Sequence, residues 1–315
     1  MNIVFLDTRT MGDIPNLLQL HDLGTVILHP DTQPDQTLAR IQTAEVVISN
    51  KVKISREMMA ACPHLKLICV AATGMNNVDL PAAAELGIQV KNVKGYSTDS
   101  VAQQAFAMLL SLLHATDYYN RYVHSGEYSQ ELIFTHLGRP YWELSGKRFG
   151  ILGLGAIGRQ TARIAQAFGA EVVYFSASGQ SYTADFERVE SLDVFLQTCD
   201  VVSIHAPLNT HTDNLLTYEK LAQMKPSALL LNTSRGGIVN EADLVKALDD
   251  ELIAGAVIDV FMQEPIPPTH PYLRVKHQEK LLLAPHIAWS SMEARLRLMD
   301  GVLQNIRDYV AQKGK

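Results

Sequence analysis

An arginine, a glutamate and a histidine each stand just beyond a short apolar run in this chain. Arg235 follows "LLL" in the stretch "NTSRGGIVNE". Glu264 follows "AGAVI" and Asp259 in "IDVFMQEP". His286 follows "LLLA" in "APHIAWSS". An arginine can grip a carboxylate through two parallel N–H···O bonds. A histidine titrates near neutral pH and can give or take a proton, and a carboxylate beside it would stabilise the protonated form. Together the three are a compact kit for carbonyl chemistry on a small acid. Each is ambiguous alone. Arg235 could simply pair or cap at a strand end, Glu264 before Pro265 reads as an extended loop acid, and His286 follows a proline. His205, in "SIHAPL", ends another apolar run and reads equally well as a groove-lining residue.

A second constellation precedes these. "GLGAIG" contains Gly153, Gly155, Ala156, Ile157 and Gly158, with the apolar run "KRFGILG" before it and a helical pattern over 157–168 after it. Gly153 suits a tight turn, Gly155 lets backbone approach a pyrophosphate, and Gly158 permits close packing of helix on strand. The helix N-terminus adds free N–H groups and partial positive charge for phosphates. The next strand, "EVVYFSA", should end in an acid that bonds the adenosine ribose. That place holds Ser176. A serine can bond the ribose but does not repel a 2′-phosphate. A dedicated NADP site would add an arginine, and "SASGQSYTADFE" contains no Lys or Arg. Arg159 lies just after the loop, where it reads first as a solvated helix residue. The expectation is therefore NAD or NADP with weak discrimination, specificity constants lying within roughly tenfold, about 1.4 kcal/mol.

The elements that must position these residues form two series. "NIVFLD", "TVILHP", "EVVIS", "LKLICV" and "IQVKNV" read as strands, alternating with amphipathic helices such as "SREMMAAC" and "DLPAAAELG". The pattern restarts at Lys147, with strands at "VVSIHAP", "ALLLNTS", "AGAVIDVF" and "KLLLAP". Such alternation predicts α/β architecture with parallel sheets covered by helices. Between the series, residues 100–123 read as one long, buried helix, and 124–146 as an irregular arm. A last helix is predicted after Ser290, with Ser290 and Glu293 at capping-box spacing.

Bulk properties narrow the function. The 315 residues are 47% hydrophobic and 19% charged, enough for two domains. A net charge of −6, with no basic run, disfavours a nucleic-acid partner. The three cysteines, Cys62, Cys69 and Cys199, lack metal-ligand or CxxC spacing and suggest free thiols in a reducing cytoplasm. No metal site and no membrane span are expected, and "MNIVFLDTR" reads as a first strand rather than a signal peptide. A serine hydrolase lacks its "GxSxG" elbow here. A P-loop kinase is disfavoured because "ELSGKR" lacks the preceding glycine and the following Ser/Thr.

In their order and spacing, "GLGAIG", "HAPLNTHT", "NTSRGGIVNE", "IDVFMQEP" and "PHIAW" resemble the D-isomer-specific 2-hydroxyacid dehydrogenases over nearly the whole chain. "NKVKIS" and "PHIAWSSMEARLRL" look most like the glycerate dehydrogenase, or hydroxypyruvate reductase, branch. The resemblance implies two Rossmann-like domains with the active site in the cleft between them. Residues 1–99 plus 287–315 would form the substrate-binding domain and 100–286 the dinucleotide-binding domain. It implies that Arg235 binds the substrate carboxylate, His286 is the general acid/base and Glu264 its partner. It places Asp259 near the nicotinamide, backbone of Thr73, Gly74 and Met75 around the carboxylate, and Pro207, Thr212 and Thr233 in the cofactor groove. It also implies a homodimer built with the arm. The expected reaction is interconversion of hydroxypyruvate or glyoxylate with the D-2-hydroxy acid; a D-lactate-type reductase is the sister reading. A dinucleotide-sensing corepressor of the same fold would not need Arg235, Glu264 and His286 together.

Overall fold

The computed structural model describes residues 1–180 and 186–313, and the chain divides into two compact units. One comprises Met1–Ser97 with Ser290–Lys315, the other Thr98–Trp289. Both are α/β with wholly parallel sheets, as the strand–helix alternation predicts.

The first unit holds β1 (Asn2–Phe5), β2 (Thr25–Leu28), β3 (Val46–Ser49), β4 (Leu67–Val70) and β5 (Gln89–Lys91) in the order β2-β1-β3-β4-β5. Every residue of β3 and β4 is buried, the pattern of strands covered on both faces. The crossovers include α1 (Thr37–Ile41), α2 (Arg56–Ala60) and α3 (Leu80–Glu85). Ser55 caps α2 and Asp79 caps α3, each accepting a backbone N–H in the first turn. The C-terminal helix (Met292–Lys313) packs against β4. At its start the Ser291 hydroxyl accepts the Ala294 N–H at 3.2 Å. Residues 71–73 form a bend beyond β4, and the Thr73 hydroxyl donates to Val93 O at 3.0 Å.

The second unit carries β6 (Arg148–Leu152), β7 (Glu171–Phe175), β8 (Glu187–Arg188), β9 (Val201–Ile204), β10 (Leu229–Asn232), β11 (Gly255–Ile258) and β12 (Leu281–Leu283). Their order is β12-β11-β10-β9-β6-β7-β8. The winding reverses between β6 and β9, and in such sheets ligands sit outside the carboxyl ends of the strands at that reversal. Alternate residues face opposite cores: Leu152, Val202, Leu230 and Ile258 lie in one cluster, Ile151, Val201, Leu231 and Val257 in the other. Helices α4 (Thr98–Leu113), α5 (Thr116–His124), α6 (Ala156–Ala167), α7 (Leu192–Thr198), α8 (Tyr218–Leu221) and α9 (Glu241–Asp249) complete it.

The single long helix expected over 100–123 is two helices. Ala115 takes a left-handed conformation at φ +47°, which ends α4 and redirects the chain into α5. The halves differ in burial as well. α4 buries eight residues and packs against α6, β11 and β12, whereas α5, "TDYYNRYVH", buries none. The arm that follows contains one 3-10 turn (Glu127–Gln130) and leaves Leu132, Ile133, Phe134 and Leu137 exposed. No helix among the described residues is long and apolar enough to cross a membrane.

Candidate active site

The carboxyl end of β6 runs into the glycine loop, and its three glycines meet different surroundings. Gly153 has φ +96°, and a Cβ there would lie 2.7 Å from Ala206 N. A Cβ at Gly158 would lie 2.2 Å from Gly153 O. Gly155 is the N-cap of α6 with ordinary extended backbone, no side chain caps the helix, and a Cβ there meets no atom within 4 Å. Gly153 and Gly158 are thus required by the fold, while Gly155 keeps the approach to the helix N-terminus open. Nearby in the fold, at the end of β10, the buried Thr233 Oγ1 has no protein hydrogen-bond partner. An uncapped helix end and an unsatisfied buried hydroxyl both fit a dinucleotide.

This contrast sets an expectation. Gly155→Ala should leave the melting temperature of the cofactor-free protein nearly unchanged but weaken dinucleotide binding at least tenfold, about 1.4 kcal/mol. Gly158→Ala should cost about 1–3 kcal/mol of stability by overpacking. Thermal unfolding and fluorescence titration with NADH read both; equal affinity of wild type and Gly155→Ala would place the phosphates elsewhere.

Ser176, at the end of β7, is buried, with its hydroxyl 3.3 Å from that of Ser178. Residues 181–185 of the stretch read for cofactor choice lie outside the described residues. The next strand supplies a cation which that reading missed. Arg188 pairs in register with Tyr174, donates to Gly179 O at 3.0 Å and contacts Glu190 at 2.9 Å. It lies one residue beyond "SASGQSYTADFE", and only the pairing of β7 with β8 returns it to the Ser176 turn.

His205, past the end of β9, shares a hydrogen bond of 2.8 Å with the Ser203 hydroxyl. Desolvation drives its pKa well below the ordinary imidazole value, so it is neutral across physiological pH. The buried Thr212 hydroxyl donates to Pro207 O at 2.6 Å and accepts the Asn209 N–H, shaping the turn that begins at the exposed Pro207.

The acid/base kit stands at the ends of three neighbouring strands, β10, β11 and β12. Arg235 lies just past β10; its backbone carbonyl accepts from the Asn232 amide at 2.8 Å, and one guanidinium N–H goes to Ser234 O at 2.7 Å. Past β12, His286 sits at φ +54°, a conformation rare for a residue with a side chain. One buried residue past β11 holds it there. The Asp259 carbonyl accepts the His286 N–H at 2.8 Å, and its carboxylate accepts the N–H groups of Ile287 at 2.9 Å and Ala288 at 3.0 Å. Burial pushes the Asp259 carboxyl upward, while those N–H bonds and the nearby His286 pull it down. Because both oxygens carry this turn, anything Asp259 offers a cofactor is additional to that scaffold role.

Glu264 completes the pair. Its carboxylate oxygens lie 2.7 and 2.9 Å from His286 Nδ1, and one of them also accepts the Phe261 N–H at 3.0 Å. The imidazole and carboxylate side chains remain 24% and 29% exposed, so the pair is fixed yet reachable. Nδ1 toward the carboxylate turns Nε2 outward, the arrangement of an oriented general acid/base. Thr73, Gly74 and Met75 belong to the other unit.

A glycine loop at the winding reversal, with an oriented imidazole–carboxylate pair on the same sheet edge, are the parts of a dinucleotide-dependent oxidoreductase. Comparison with known proteins agrees. Residues 106–288 match the family described as "D-isomer specific 2-hydroxyacid dehydrogenase, NAD binding domain". The chain is 36% identical over 316 residues to the hydroxypyruvate reductase of Blautia hydrogenotrophica, covering 98% of this chain and 97% of that one. It is 36% identical to the glycerate dehydrogenase of Methylorubrum extorquens, covering 89% and 87%. Among solved structures, the NADPH-dependent glyoxylate/hydroxypyruvate reductase of Sinorhizobium meliloti, in complex with NADP and malonate, aligns with a TM-score of 0.84. Its identity is 26%, over 98% of this chain and 93% of that one.

The chain belongs to the D-isomer specific 2-hydroxyacid dehydrogenase family. It is an oxidoreductase of that family, and its matched region is the family's NAD binding domain.

Proposed function

We propose that the protein reduces a short 2-keto acid, hydroxypyruvate or glyoxylate, to the corresponding D-2-hydroxy acid. The observation that carries this reading is the Glu264–His286 contact at 2.7 Å on the sheet edge that bears the glycine loop. The hydride comes from the nicotinamide when the dinucleotide is bound. The protein's own part is orientation and charge. Arg235 grips the carboxylate and polarises the carbonyl, and His286 Nε2 delivers the proton to the carbonyl oxygen. The dinucleotide would be held by Gly153–Gly158 at its phosphates, Ser176 at the ribose, and His205, Pro207, Thr212, Thr233 and Asp259 along the groove. The working unit is a cytoplasmic homodimer joined through the exposed apolar arm.

The test is a panel of 2-keto acids assayed with NADH and NADPH. The highest kcat/KM should fall on hydroxypyruvate or glyoxylate; the highest value on pyruvate would make this a D-lactate-type reductase. With the preferred acid, NADH and NADPH should differ by no more than roughly tenfold. Ser176→Asp should favour NADH by adding repulsion against the 2′-phosphate, and Arg188→Ala should weaken NADPH more than NADH. A wild-type preference for NADH beyond a hundredfold would show that another group sets the choice.

A further inference from the structure

The segment that carries Glu264 is held from behind by a second, more deeply buried carboxylate–imidazole pair. Glu241 opens α9, six residues after Arg235. One of its carboxylate oxygens accepts the Met262 N–H at 2.8 Å. The other lies 2.9 Å from His270 Nε2, with side-chain exposure of 11% for Glu241 and 3% for His270. His270 Nδ1 accepts the Tyr272 N–H at 3.3 Å, which puts the imidazole proton on Nε2, facing Glu241. Phe261 and Tyr272 pack around the same ring, at centroid distances of 5.8 and 4.9 Å.

This pair ties together the two pieces of backbone on which the acid/base kit depends. Gly236, immediately after Arg235, lies so close to the 261–262 peptide that a Cβ would stand 2.0 Å from Phe261 C. Over the next residues of that loop, successive N–H groups go to two different carboxylates, Phe261 to Glu264 and Met262 to Glu241. The Arg235 segment, the Glu264 loop and α9 are thereby locked at one spacing. A buried ion or ion pair is weak evidence for stability, because apolar packing usually serves stability as well. Its value here is directional: a charge-assisted acceptor fixes a peptide more tightly than apolar contact.

We infer that Glu241 and His270 are positioning residues for the proton-transfer pair, setting where the Glu264 carboxylate meets His286 and how far it stands from Arg235. Neither touches substrate or cofactor; they act through the 261–264 peptide. The inference rests on reading Glu264–His286 as the acid/base pair. The charged groups facing His286 are Glu264 at Nδ1 and Asp259 beneath the turn. Loosening the loop withdraws Glu264 and leaves Asp259 in place.

The experiment uses the full-length enzyme with Glu241→Ala, Glu241→Gln and His270→Gln. Glu241→Ala should lower kcat for keto-acid reduction at least tenfold while the Kd for NADH stays within twofold of wild type. The falling limb of kcat/KM against pH should move to lower pH. Glu241→Gln keeps an acceptor for the Met262 N–H and should recover much of kcat. If Glu241→Ala does not fold, His270→Gln carries the test, with the same shift in pH profile. A lowered melting temperature with wild-type kcat and an unmoved pH limb would make the pair merely structural and overturn the inference. Glu264→Gln and His286→Ala run in parallel. If they too keep full activity, the acid/base reading itself fails and this inference falls with it. If only they lose activity, the failure belongs to Glu241 and His270 alone.

Discussion

His286→Ala should reduce turnover by roughly a hundredfold or more, the usual scale of general acid/base help, which is about 2.7 kcal/mol of barrier. The structure supports a large value because so much of it is devoted to one imidazole. The positive-φ turn is held by Asp259 through three backbone N–H groups, and the ring is held by Glu264 through Nδ1. The direction of the pH effect follows from the proton's direction. Reduction consumes a proton, so it needs the protonated ring and should fall as pH rises. Oxidation needs the neutral ring and should improve over the same range. His205 cannot supply that limb, since desolvation keeps it neutral throughout. Removing the Glu264 charge withdraws the group that favours the protonated ring. Glu264→Gln should therefore shift the limb to lower pH and lower the rate at neutral pH. Steady-state rates in both directions, measured from pH 5 to 10, check this. Full activity in His286→Ala would remove the residue from proton transfer.

The second large effect is expected at Arg235. Arg235→Lys keeps the charge and loses the planar fork. Losing one charge-assisted bond to the substrate costs about 1.5–3 kcal/mol, or tenfold to a hundredfold or more in kcat/KM. Both KM for the keto acid and kcat should suffer, because the same group binds the carboxylate and polarises the carbonyl. The Kd for NADH should hardly move. The backbone around Arg235 is anchored independently of its side chain, by the Asn232 amide on its carbonyl and by the close approach of Gly236 to the 261–262 peptide. The variant should therefore fold normally, and the loss can be assigned to the guanidinium. Unchanged keto-acid kinetics with collapsed NADH binding would instead place Arg235 in the cofactor groove.

Features whose physics is local were readable from the residues alone. The buried strands announce themselves as short apolar runs, because a parallel strand covered on both faces has no polar side. The glycine loop is legible because each requirement, a positive φ at Gly153 or the close approach at Gly158, acts within six residues. Arg235, Glu264 and His286 could be singled out because each follows such a run, and strand ends are where parallel sheets present side chains to ligands. Other features depend on residues far apart in the chain. That Glu264 meets His286, 22 residues away, is settled by the register of β11 and β12. That Glu241 meets His270, 29 residues away, is settled by how α9 lies against the 261–272 segment. β8 has two residues, too few to show any alternation, yet it brings Arg188 to the Ser176 turn. The break at Ala115 falls inside a helical pattern with no glycine or proline to mark it. Periodicity and glycine chemistry are written in neighbouring residues, so the sequence by itself determined most of the elements and the candidate reactive groups. Which of those groups touch was decided only by the tertiary structure, because strand order, register and turn geometry minimise the energy of the whole packed unit rather than of any one segment.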